Sequence, residues 1–154
     1  MNASRPPRGC APVGFLDELD PVEAGAVRCL RLWGSGPGAE DRLRRDFARG
    51  LGPDHGLRAA DTLSDICSLC AHHGRRPLMR RAETCPCLGA DECCFATFIA
   101  AAGSGDREDA MMFAAMLVRA DLAPCLAGLG QSLALALRRM ALKQAKTATE
   151  NSFH

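Results

Sequence analysis

Apolar residues recur at intervals of three and four along most of the chain, the spacing of helices with one buried face. Asp20-Pro21-Val22-Glu23 reads as a helix start, with Asp as N-cap, Pro at the first helical position and Glu able to reach back to the cap. Val22, Ala26, Cys29, Leu30 and Trp33 then form one stripe, which Gly34-Ser35-Gly36-Pro37-Gly38 ends. A more charged helix over about 39–49 turns Leu43 and Phe47 inward, and a third over about 54–73 aligns Leu63, Ile66, Cys67 and Cys70 before Gly74 stops it. A helix capped by Asp91 and running to about Ala102 has Cys94, Phe95, Phe98, Ile99 and Ala102 on its inner face. Asp106, Glu108 and Asp109 suit the positive end of the next helix, whose buried side is Ala110, Phe113, Ala114 and Leu117. The last helix, 121–146, carries Leu126, Leu129, Leu133, Leu137 and Met140.

These elements predict an all-α fold, a single-domain irregular or orthogonal bundle of five or six helices with a Cys-rich loop. Residues 1–19 form a flexible N-terminal arm in this reading, 20–146 the helical domain, and 147–154 a frayed tail. Composition agrees, since 26 Ala and 19 Leu stand against 4 Val and 2 Ile, with no Tyr, so strands are nearly excluded. A length of 154 residues fits one core and leaves little room for separate cofactor and substrate domains.

Net charge is +1, too balanced for the whole surface to serve as a polyanion binder. The N-terminal residues lack the apolar run of a signal peptide, and Pro6, Pro7 and Pro12 interrupt them. The longest uncharged stretch, Leu122 to Leu137, is short of a bilayer span and holds Pro124, Gly128 and Gly130. The expectation is therefore a cytoplasmic protein with no membrane span. In a reducing cytosol, clustered cysteines serve more often as metal ligands or redox thiols than as disulfides.

Six of the nine cysteines and two of the four histidines lie between Cys67 and Cys94. Cys67 and Cys70 share a helical face, and Cys85-Pro86-Cys87 offers a second pair from a proline-stiffened loop. The two pairs together predict a closed four-thiolate zinc site at Cys67, Cys70, Cys85 and Cys87, with His73 or Cys93 as alternates. An iron-sulfur cluster on three or four of Cys67, Cys70, Cys85, Cys87 and Cys93, used in electron transfer or redox sensing, is the alternative. A helical adaptor with reduced, metal-free thiols is a third reading. Cys93 and Cys94 fall in the first turn of a helix, where the N–H groups favour thiolate but Asp91 and Glu92 oppose it.

The loop over 75–90 is long for a connection between helices, so something must hold its shape. A metal would do so, because ion binding and folding share one free energy. The loop would then present Arg75, Arg76, Arg80 and Arg81 to an acidic protein partner. The competing reading is a solvated run paired with Asp91, Glu92 and Glu108. No aromatic residue accompanies these arginines, which disfavours nucleic acid. No phosphate-binding loop, zinc-protease motif or nucleophile elbow is present, so the expectation leans away from an enzyme, toward regulation or protein interaction.

Overall fold

Asp20 caps the first helix through its carboxylate, which accepts the Glu23 N–H at 2.8 Å, while Glu23 reaches back to the Asp20 N–H. This start opens the bundle seen in the computed structural model, which describes residues 8–152. Among them run α1 (Pro21–Leu32), α2 (Pro37–Leu51), α3 (Pro53–His73), α4 (Ala90–Ser104), α5 (Arg107–Leu117) and α6 (Ala123–Asn151). The all-α bundle expected from the apolar period is the observed architecture. Pro21, Pro37 and Pro53 each stand at a helix start, where a missing N–H costs nothing.

The long α6 packs against all five other helices, and α4 lies between α1, α5 and α6. Phe47, Leu63, Ile66, Phe95, Phe98, Ile99, Leu126 and Leu133 fill the centre with little or no exposed surface. The helix over 120–151 is long and apolar enough, by length and composition, to cross a membrane, and its apolar side here contributes core residues.

One element departs from the expected pattern. Pro12–Phe15 (β1) pairs antiparallel with Cys87–Gly89 (β2), matching Pro12 with Gly89, Gly14 with Leu88 and Phe15 with Cys87. Residue-type propensity excluded strands because it weighs interior packing. Segments of four and three residues need only backbone pairing and one cover, which Leu88 supplies by packing on Val27 and Ala96. The segment expected as the N-terminal arm also bonds to the loop through its backbone: Leu16 N–H donates to Pro86 O at 2.9 Å and Ala90 N–H to Ala11 O at 3.0 Å. Residues 1–7 lie outside the described residues. The tail also differs, since helix α6 continues to Asn151 instead of ending near 146, and 153–154 lie outside the description.

Candidate functional site

The loop between α3 and α4 has peptide carbonyls that no helix satisfies, so side chains must meet them. Arg31 of α1 does this from below. Its Nη1 donates to Cys85 O at 2.7 Å and to Glu83 O at 3.4 Å, and its Nη2 donates to Cys87 O at 2.7 Å. Its Nε and Nη2 also grip the Glu92 carboxylate at 2.6 and 3.0 Å, which employs every N–H of the guanidinium. Both side chains are fully buried. Glu92 further accepts the Gly89 N–H at 2.9 Å and the Arg81 N–H at 3.2 Å. Burial pushes its carboxyl up, but Arg31 and these two backbone donors outweigh burial and leave it below the ordinary glutamate value.

The arginine run is engaged within the chain. Arg75 Nε donates to Ala115 O on α5 at 2.5 Å. Arg76 forms a two-pronged pair with Asp91, whose Oδ2 also accepts the Met79 N–H at 2.8 Å. Asp91 therefore stands one residue inside α4 as the loop's anchor, and Gly89 occupies the cap position that the sequence suggested for Asp91. Arg80 Nη1 donates to Leu30 O and Trp33 O at the C-terminal end of α1. Arg81 Nη2 donates to Cys10 O at 2.5 Å, and its Nη1 reaches the Cys85 sulfur at 3.8 Å. Of the acids expected to pair with the run, Asp91 does so and Glu92 pairs instead with Arg31, which is not part of the stripe of Val22, Ala26, Cys29, Leu30 and Trp33.

The cysteines sort into two environments. Cys29, Cys67, Cys70 and Cys94 belong to the core or its margin. Burial pushes the Cys29 and Cys67 thiols up to about 12 and Cys70 up to about 11, and raises Cys94 with help from Asp91 and Cys93. These sulfurs stay protonated near neutral pH. Cys85 goes the other way: the Cys87 N–H, the Arg81 side chain and the Arg31 charge hold its thiol below the ordinary value, against partial desolvation. Arg81 has no carboxylate in salt-bridge reach among the described residues, and its Nη1 faces the Cys85 sulfur. Cys10 and Cys87 share that neighbourhood. Cys125 is exposed on α6.

Among the described residues, no group of three or more His, Cys, Asp or Glu side chains is gathered for one ion, at Cys67, Cys70, Cys85 and Cys87 or with His73 or Cys93. Arg31 holds the carbonyls of Cys85 and Cys87 and Arg81 reaches the Cys85 sulfur, while Cys67 and Cys70 line a cavity together with Leu78 and Arg80. Sequence reasoning missed Arg31 as the holding group. A signal was present in the acids Asp91 and Glu92 opening a strongly apolar helix, because buried acids demand a cation.

Compared with known proteins, the chain matches no family, no curated protein and no solved structure.

Proposed function

We propose that this chain is a thiol-based regulatory protein, in which Cys85 is the group that reacts and the Arg81-held loop is what responds. The observation that carries this reading is the placement of the Cys85 sulfur at the Arg81 guanidinium, 3.8 Å away, with the Cys87 N–H as a second donor. A thiolate is the nucleophile in disulfide exchange, and fixed cationic donors favour it. The reaction is attack of the Cys85 thiolate on one sulfur of a low-molecular-weight disulfide. The S–S bond of that disulfide breaks, one half leaves as a thiolate that takes a proton from water, and the other half stays on Cys85 as a mixed disulfide.

A mixed disulfide at Cys85 cannot ionise to the thiolate that the Arg81 guanidinium favours, so modification removes that attraction. The same guanidinium holds Cys10 O, so the switch is coupled to the docking of residues 10–15 along β2. The regulatory role expected from the sequence is kept, with thiol exchange in place of a bound ion as its chemistry.

The test is incubation of the reduced protein with oxidised glutathione, followed by intact-mass measurement, peptide mapping and hydrogen exchange. The expected result is one adduct, on Cys85, lost in Cys85→Ser, with faster exchange over residues 10–15. An adduct distributed over other cysteines overturns the reading. So does stoichiometric zinc or an iron-sulfur chromophore in protein purified under reducing, anaerobic conditions, which would return the cysteine loop to metal binding.

A further inference from the structure

A cavity of about 410 Å³, whose lining does not include Cys85, lies between the end of α1, the second half of α3 and the segment 77–80. Its volume is in the range of small-ligand sites, which are largely apolar with a few placed polar groups. Leu30, Ile66, Leu78 and Phe95 supply apolar walls, and Trp33 forms part of the rim. Cys67 and Cys70 also line it, and burial keeps both thiols protonated near neutral pH, so they add polarizable but uncharged surface.

The lining contains no carboxylate, and its one arginine is Arg80. Arg80 Nη1 is committed to the carbonyls of Leu30 and Trp33, whereas Nη2 and Nε have no acceptor among the described residues. Gly34, at φ +82°, makes this placement possible: a Cβ there would stand 2.8 Å from Arg80 Nη1. The guanidinium thus packs against Gly34 in the cavity lining, and its Nη2–Nε edge has no acceptor among the described residues. Such an edge matches a carboxylate, which takes two parallel N–H donors.

We infer that this cavity binds a small apolar monocarboxylate, its hydrocarbon part against Leu78, Phe95 and Trp33 and its carboxylate on Arg80 Nη2 and Nε. The site is separate from Cys85 and does not depend on the thiol chemistry proposed above. Arg80, which the sequence marks as a candidate for an acidic partner, keeps that chemistry with a small acid as the partner.

Trp33 is the only tryptophan and the chain has no tyrosine, so intrinsic fluorescence reports on the cavity rim directly. The test titrates the reduced full chain with octanoate and, in parallel, with neutral octanamide. The expected result is a saturable change in Trp33 emission with octanoate at sub-millimolar concentration and binding of the amide weaker by about tenfold or more, the loss of one charge-assisted pair. Arg80→Gln should abolish the preference for the acid and Arg80→Lys should keep part of it. A readout that needs no variant is thermal unfolding: octanoate should raise the unfolding midpoint of the reduced chain while octanamide leaves it nearly unchanged. No saturable change, equal binding of acid and amide, or an unfolding midpoint that octanoate does not raise overturns the inference.

Discussion

The Arg31 guanidinium and the Glu92 carboxylate meet through two hydrogen bonds of 2.6 and 3.0 Å with neither side chain exposed to solvent. Arg31 also carries the carbonyls of Cys85 and Cys87, and Glu92 carries the N–H groups of Arg81 and Gly89. One buried ion pair thereby fixes the second half of the cysteine loop, from Arg81 to Gly89, to α1 and α4. A buried pair is useful only while every remaining donor and acceptor is matched, and here the loop's own backbone does the matching.

Removing one member should therefore cost far more than an ordinary surface substitution. Glu92→Gln and Arg31→Met are each expected to lower unfolding stability by about 3–5 kcal/mol, because each leaves an uncompensated buried charge. Arg31→Met combined with Glu92→Leu should cost less than the sum of the single changes. Urea titration followed by circular dichroism measures all of them. A loss below about 1 kcal/mol for Glu92→Gln would show that the pair is not buried as described.

The same pair sets a pH dependence. Native Glu92 lies below the ordinary value of 4.5, so its contribution is fully present above that pH. It is lost as pH falls through the lowered native value. Stability measured against pH should drop on the acid side, and Glu92→Gln should flatten that limb while lowering the plateau. On the alkaline side, Cys29 and Cys67 are raised from 9.0 to about 12, so their contribution holds below pH 9.0 and fades as pH rises toward 12. An acid limb identical in Glu92→Gln and the parent would contradict the assignment.

Two glycines two residues apart on α6 test the core packing. A Cβ at Gly130 would stand 2.5 Å from Phe98 Cζ, whereas one at Gly128 meets nothing within 4 Å. Gly130→Ala should cost about 1–3 kcal/mol by overpacking the α4 contact. Gly128→Ala should gain about 0.5–1 kcal/mol by restricting the unfolded chain and suiting the helix. Thermal melts of the two variants should move in opposite directions, and a shared direction would misplace α6 on α4.

The helices were legible because their buried stripes and caps are local: Asp20 with Glu23, Leu43 with Phe47, and Phe95 with Phe98 and Ile99 all do what their spacing predicts. What stayed hidden depends on pairings far apart in sequence. Arg31 falls between Leu30 and Leu32, both buried, and a one-stripe reading sends a charged residue to solvent because it cannot see a carboxylate 61 residues away. The β1–β2 pair was missed for a related reason, since Pro12–Phe15 gains its place from the loop and not from its own composition. The cysteine clustering was visible, but the hold of Arg31 on the Cys85 and Cys87 carbonyls, across more than fifty residues of sequence, is not legible in side-chain spacing.

The most direct test of the account is the rate of iodoacetamide labelling of each cysteine as a function of pH, resolved by peptide mapping on the folded, reduced chain. Cys85 should label first near neutral pH, with a midpoint below the ordinary thiol value of 9.0 that rises in Arg81→Gln. Cys29, Cys67 and Cys70 should resist until pH approaches about 11 to 12 or the chain unfolds. A Cys85 midpoint at or above 9.0, or Cys67 and Cys70 labelling as fast as Cys85 near neutral pH, would contradict the division of the cysteines on which the proposed function rests.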